Sequence, residues 1–262
     1  MTESQNLPTS TVYGPVNSWR VGKSLGIDLL FTNSICSFRC VYCQLGKINE
    51  HTAVRKIYVP TEKVMTDLQA SAWHEADVIT FSGNGEPTLA ANLGEAIQQI
   101  KAFTGKPIIV LTNATLLNDP AVRNDLQAAN KIFCKLDAAT DHTLQLVDRP
   151  VAGVTVRSII EGIKALRQEY RGHLAIQTML LPVNENEITA LAALLNEIRP
   201  DEVQLNTPSR PVPREWIFES RGNHQATFEN AAKLRVPSSE KLTAIEQQLR
   251  ALTGLAITLK RG

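Results

Sequence analysis

Short, nearly continuous apolar runs alternate along the chain with amphipathic helical patterns, and that alternation leaves few folds open. Runs rich in Ile, Val, Leu and Phe occupy residues 26–31, 78–82, 107–112, 131–137, 174–181 and 202–206. Strands buried on both faces of a parallel sheet have this character. Between them Ile188, Leu191, Leu194, Leu195 and Ile198 follow a 3.6-residue period, as do Val156, Ile159, Ile160, Ile163 and Leu166. Asp119-Pro120 supplies an N-cap and a first-turn proline for another helix. A late helical pattern over 239–252 carries Leu242, Ile245, Leu249 and Leu252 and stops at Gly254; Leu255, Ile257 and Leu259 then alternate like a short strand. Strand–helix alternation implies right-handed crossovers and an α/β fold with parallel strands. Six units fall short of the eight of a closed (β/α)8 barrel. An open doubly wound sheet and a partial barrel both remain.

The balance of charges narrows the function classes. With a net charge of +1 over 262 residues, the chain is neither a strongly basic nucleic-acid binder nor a polybasic membrane binder. No apolar run is long enough to span a bilayer, and the N-terminal decapeptide is polar, so a cytoplasmic protein with no membrane partner is expected. We divide the chain into an N-terminal segment (1–25), a core (26–208) and a C-terminal extension (209–262). The stretch 207–236 has no period and holds Pro208, Pro211 and Pro213; it reads as an irregular surface segment and a candidate substrate lid, with Arg210 and Arg214 as charges that can help to close it.

Three of the four cysteines fall within eight residues, as Cys36-Ser-Phe-Arg-Cys40-Val-Tyr-Cys43, directly after the first apolar run. In a reducing compartment such a triplet reads as a metal centre. A structural zinc needs a fourth ligand, for which His51 is the nearest candidate. A redox dithiol would use two cysteines and leave the third unexplained. A [4Fe–4S] cluster held by three cysteines would leave one iron open to a small molecule.

The C-x3-C-x2-C spacing, with Tyr42 as the aromatic residue before the last cysteine, resembles the signature of the radical S-adenosylmethionine (SAM) superfamily. Later stretches agree with it. The second run leads into Ser82-Gly83-Asn84-Gly85-Glu86-Pro87-Thr88, similar to the family's Gly-Gly-Glu-Pro stretch but with Asn84 inserted. Two glycines in three residues let the backbone turn sharply and approach a ligand closely. Thr112-Asn113-Ala114 is similar to the family's Thr-Asn-Gly segment. Lys135 and Asp137 share one face of a strand, where a carboxylate can accept from ribose hydroxyls and a lysine can pair with a carboxylate. Gln177 and Asn206 are polar residues within or at the end of apolar runs. The cysteines, the stretch 83–87, Asn113, Asp137 and Asn206 lie at or just past the C-terminal ends of expected strands, where parallel α/β folds place their sites.

The resemblance implies a partial (β/α)6 TIM-like barrel with a C-terminal helix and strand extension. It implies Cys36, Cys40 and Cys43 as ligands of a [4Fe–4S] cluster. Tyr42, Gly83, Asn84, Gly85, Glu86, Pro87, Thr112, Asn113, Lys135, Asp137, Gln177 and Asn206 become candidate contacts of SAM. The implied activity is reductive cleavage of SAM to a 5′-deoxyadenosyl radical, which abstracts hydrogen from a small-molecule or nucleotide substrate. A flavodoxin- or ferredoxin-like protein would donate the electron. Residues 13–28, Arg149-Pro150 and 204–208 are similar to a subgroup placed with the wyosine-type tRNA-modifying enzymes. Those carry further cysteines for a second cluster. Here only Cys134 remains, inside an apolar run, where it reads as a small buried residue, and the near-neutral charge does not support a tRNA partner. The alternatives are an activase of glycyl-radical enzymes and a zinc-binding interaction protein.

Overall fold

The computed structural model describes residues 10–31, 33–217 and 231–260. Strands β1 (Val12–Ser18) and β2 (Gly22–Ile27) form an antiparallel hairpin. The short strands β3 (Ile35–Cys36) and β4 (Glu50–His51) pair with each other in a separate two-stranded sheet. Alternating elements follow: α1 (Thr61–Gln69), β5 (Val78–Phe81), α2 (Leu93–Thr104), β6 (Ile108–Thr112), α3 (Pro120–Asp125) and β7 (Lys131–Lys135). Two helices, α4 (Asp141–Val147) and α5 (Val156–Glu169), precede β8 (His173–Met179); α6 (Ile188–Ile198), β9 (Glu202–Asn206), α7 (Ser239–Thr253) and β10 (Ile257–Leu259) complete the order.

The main sheet runs β1-β2-β5-β6-β7-β8-β9-β10, parallel throughout except for β1. Its edges, β1 and β10, do not pair, so the barrel is open. This is the partial TIM-like barrel that the family resemblance implies, one of the two architectures that six strand–helix units left open. The C-terminal helix and strand extend it: α7 is the crossover that brings β10 parallel to β9.

The period-2 alternation of strand side chains separates two packing layers. Ile109, Phe133 and Ala175 form an inner cluster with Leu111 against it. Their neighbours Ile108, Val110, Ile132, Cys134, Leu174 and Ile176 face outward into the main core, with Ile159, Ile160, Ile163 and Leu166 of α5 in the same cluster. Several helix ends are set by local chemistry. Asp119 caps α3 by accepting from Ala121 N at 2.8 Å. Thr155 and Ser158 form a reciprocal capping box at the start of α5. Thr155→Ala is expected to lower stability by about 1 kcal/mol, read as a shift of the urea midpoint without change of slope.

One expected strand is misplaced. The run at 26–31 is not a strand along its length; the strand is β2, beginning four residues earlier. The Tyr13 ring lies flat across Gly26, where an added Cβ would meet Tyr13 Cζ at 2.1 Å, so the glycine lies inside the pairing rather than at its start. At Asp28 the chain turns, because the buried carboxylate accepts from Leu30 N at 3.0 Å and Phe31 N at 3.2 Å. Leu29 and Leu30 are buried from a loop, not from a ladder. The N-terminal segment is not separate from the sheet either, since β2 crosses the 25/26 boundary.

Candidate functional site

The cysteine loop leaves the C-terminal end of β2 and is sewn down at two places, the turn after β5 and the end of α4. On one side Ile35 N donates to Asn84 O at 2.8 Å, and Glu86 N donates to Ile35 O at 3.0 Å. On the other, Arg39 N donates to Asp148 O at 2.8 Å, Val41 N to Val147 O at 2.9 Å and Val151 N to Ser37 O at 2.9 Å. The stretch around Arg149-Pro150 is therefore a clamp for the loop.

The three cysteines open onto two adjoining cavities above the barrel. Cys40 and Cys43 line the larger, about 650 Å³; Cys36 and Cys40 line the smaller, about 230 Å³. Gly83, Lys135 and Gln177 belong to both walls. Tyr42 and Asn206 line the larger, and Gly85, Glu86, Thr112 and Asn113 the smaller. Asn84, Pro87 and Asp137 line neither. Asn84 turns its amide to Asp28 Oδ2 at 2.7 Å, and Pro87 opens a short 3-10 turn, Pro87–Leu89.

The Gly83–Glu86 stretch is shaped by its protein neighbours. A Cβ on Gly85, at φ 151°, would lie 1.6 Å from Ile35 O, and one on Gly83, at φ 115°, 2.5 Å from Asp28 Cγ. The glycines let the cysteine loop lie directly on this turn. Gly85→Ala is expected to displace Ile35 and cost about 3 kcal/mol or more, checked by thermal unfolding together with loss of bound iron. Glu86, whose carboxyl burial pushes above the usual range, accepts from Thr88 Oγ1 and Thr112 Oγ1, each at 2.7 Å, and from Asn113 N at 2.6 Å. It ties the turn to the end of β6. Asn113 then reaches the cysteine loop, donating to Ser37 Oγ at 2.8 Å and to Cys36 Sγ at 3.6 Å.

Behind the wall lies a buried polar chain. The Tyr42 hydroxyl donates to Asp137 Oδ2 and approaches Asp148 Oδ1 at 3.2 Å. Lys135 Nζ pairs with Asp137 Oδ2 at 3.0 Å and sits 4.8 Å from the Tyr42 ring centroid. Asp137 Oδ1 accepts from Met179 N at 2.7 Å, so both its oxygens are used by the protein and its side chain is fully buried. Asp137 is therefore placed to position Lys135 and Tyr42. Burial disfavours the charged ammonium of Lys135, but Asp137, Cys40 and Asp148 outweigh it and hold the lysine above its ordinary range. Burial, then the Asp137 charge, raises Asp148 well above the usual carboxylate range.

The donor set fits an iron–sulfur centre better than the alternatives. Burial, foremost, raises all three thiols above their ordinary value, and a redox dithiol would leave one of the three unused. His51 places Nε2 3.1 Å from Ser37 O, turned to the backbone rather than to the sulfurs. Among the described residues no three His, Cys, Asp or Glu side chains converge on one ion position. A four-iron cube takes its thiolates at separate irons, and its own charge would ionise these thiols. N–H groups are already aimed at the sulfurs: Phe38 N lies 3.4 Å from Cys36 Sγ, and Leu45 N donates to Cys43. An open coordination position also needs room and ligand-binding groups beside it. Asn206 Oδ1, buried on the wall of the larger cavity, has no partner. With its amide turned toward its donors, Gln177 Oε1 accepts from Asn206 Nδ2 at 3.1 Å and from Arg20 Nε at 2.7 Å. Cys134, on the outward face of β7, is fully buried in the main core and joins neither cavity.

Part of the candidate lid reaches this site. Ile217 N donates to Leu45 O at 3.1 Å, and Trp216 Nε1 lies 3.4 Å from Asn84 Oδ1. Arg210 lines the larger cavity, whereas Arg214 is exposed. Residues 218–230 of that segment lie outside the described residues. Asp28, Asp148, Ser37 and Arg20 were not singled out by sequence. Asp148 stands beside the noted Arg149-Pro150 pair and Arg20 within the noted 13–28 stretch, but neither has a local pattern that assigns it a role.

Comparisons with known proteins bear on the family and the fold. Residues 30–195 match the sequence model of the Radical SAM superfamily. The UPF0026 protein slr1464 of Synechocystis sp. is 50% identical over 223 residues, covering 85% of this chain and 84% of that protein. Among solved structures, TYW1 with a lysine-pyruvate adduct bound matches with a TM-score of 0.63 and 15% identity over 90% of this chain and 76% of that one. Streptococcus suis SuiB bound to S-adenosylmethionine gives a TM-score of 0.60 and 15% identity over 87% of this chain and 49% of that one. At such identities the structural likeness concerns the fold.

Proposed function

The chain belongs to the radical SAM superfamily and is an enzyme of that class, and from that premise we propose that it cleaves SAM reductively at a [4Fe–4S] cluster and uses the resulting radical on a small-molecule or nucleotide substrate. The observation that carries this is the opening of Cys36, Cys40 and Cys43, the triplet of the family spacing, onto cavities walled by polar rim residues. Cys36, Cys40 and Cys43 would hold three irons and leave the fourth for the amino and carboxylate groups of SAM. When bound, the cluster and SAM supply the one-electron chemistry and a carbon-centred radical able to take a hydrogen atom.

The chain's own residues orient and enclose. Gln177 and Asn206 offer amide groups, including the unpartnered Asn206 Oδ1, to a polar ligand. Lys135, held by Asp137 and Tyr42, presents a cation to the same space. Glu86 and Asn113 lock the rim against the cysteine loop. The 208–217 stretch, fastened to Leu45 and Asn84, restricts water, which a reactive radical requires. The electron would come from a flavodoxin- or ferredoxin-like donor. No helix among the described residues is long and apolar enough to cross a membrane.

The test is anaerobic reconstitution with iron and sulfide followed by dithionite and SAM. We expect about four irons and four sulfides per chain and accumulation of 5′-deoxyadenosine, with deuterium entering it from the true substrate. Stoichiometric zinc without sulfide, or no 5′-deoxyadenosine from a fully loaded protein, would rule the proposal out.

A further inference from the structure

Four cations, Arg20, Lys135, Arg210 and Lys260, line the larger cavity, and no Asp or Glu is among its lining residues. Lys135 is neutralised from behind by Asp137. The other three have no carboxylate partner among the described residues. Arg20 donates to the neutral Gln177 amide and lies 5.0 Å from the Trp19 ring centroid. Lys260 Nζ reaches Ser209 Oγ at 3.3 Å. The Arg210 side chain makes no ion pair among the described residues.

These cations come from opposite edges of the open sheet. Arg20 is carried by the tip of the β1–β2 hairpin, Arg210 follows β9 and Lys260 follows β10. They are near enough to repel one another. Burial, and then Arg210, lowers Arg20 to about 10; burial, and then Arg20 and Arg210, lowers Lys260. Like charges gathered in a partly dry cleft raise the free energy of the fold unless an anion joins them. Two guanidinium forks and one ammonium match the several oxygens and double charge of a phosphate; a single carboxylate would leave two cations unbalanced.

We propose that Arg20, Arg210 and Lys260 form a subsite for a phosphate group of the substrate, at the seam where the two edges of the barrel face each other. The substrate class is then a phosphate ester that places its reacting carbon in the cavity Cys40 and Cys43 also line. This assignment to the substrate rests on the radical SAM reading of the site; the anion binding itself does not.

The test uses reconstituted holoenzyme at constant ionic strength, with Tm followed against inorganic phosphate, pyrophosphate and malonate. Phosphate or pyrophosphate should raise Tm saturably by about 4 °C or more, with malonate giving much less. Arg210→Gln and Lys260→Gln should each weaken the apparent phosphate affinity about tenfold while keeping wild-type iron content. No saturable rise, equal responses in wild type and both variants, or an equal effect of malonate would overturn the proposal. SAM affinity by equilibrium dialysis separates the sources of the anion. It should stay within about twofold in both variants, whereas a tenfold loss would assign these cations to the SAM carboxylate and overturn the substrate assignment. Failure of SAM cleavage with phosphate binding intact would sink the radical SAM reading and leave the anion subsite standing; the reverse pattern would sink the subsite alone.

Discussion

Replacement of Cys36, Cys40 or Cys43 by alanine is expected to reduce bound iron to background after reconstitution and to abolish 5′-deoxyadenosine formation, while Cys134→Ala retains both. The contrast follows from the two faces of the strands. Cys134 points outward into the main core, among Ile132, Ile176 and the helices, and is fully buried there. The triplet sits on a loop above the opposite side of the barrel and lines the cavities. Losing one of three thiolates leaves two protein ligands for a four-iron cube, too few to retain it. Cys134→Ala removes one sulfur from a packed layer and should cost about 1 kcal/mol. Iron and sulfide content and the visible absorption of each variant check this. A Cys134 variant without iron beside triplet variants that keep it would overturn the assignment.

The second large effect concerns the buried chain behind the wall. Lys135→Met removes the cation paired with the fully buried Asp137 and should destabilise the protein by about 3–5 kcal/mol, because a carboxylate is then left in a dry site with only neutral donors. The Tyr42 hydroxyl and Met179 N remain as those donors. The double variant Lys135→Met/Asp137→Asn keeps the shape and one acceptor oxygen for Met179 N, turns the other position into a donor that the Tyr42 hydroxyl can accept from, and removes the stranded charge; it should recover at least about half of the loss. Thermal unfolding of wild type, both single variants and the double variant gives the coupling energy. A single-variant loss below about 1 kcal/mol would mean that water reaches Asp137 and that the pair is ordinary surface chemistry.

Much of the architecture was legible because its signals are local. Helix α6 follows its apolar period from Ile188 to Ile198, and α3 begins at the Asp119-Pro120 cap. The inner strands β5 to β9 coincide with the apolar runs because a strand covered on both faces must be apolar nearly throughout. The β1–β2 hairpin was not legible. Its first strand reads VYGPVNS, with a Gly-Pro pair and polar residues, and one of its faces is settled by the packing of Tyr13 on Gly26. At the site, the cysteine spacing and the Gly83–Glu86 stretch are short motifs that sequence carries whole. The roles inside them are not. Gly85 is required by a carbonyl of the cysteine loop, and Asn84 by Asp28, 56 residues away.

The amino-acid sequence by itself determined the parallel α/β class, the number of strand–helix units and the three thiols of one loop, because periodicity and ligand spacing are properties of short segments. Only the tertiary structure decided which polar groups meet. Tyr42 finds Asp137 and Asp148 at separations of 95 and 106 residues, and the cations Arg20 and Lys260 come together from opposite edges of a sheet that does not close. Such meetings depend on how strands curve and where the chain returns, and burial then sets their energies. No local pattern encodes either.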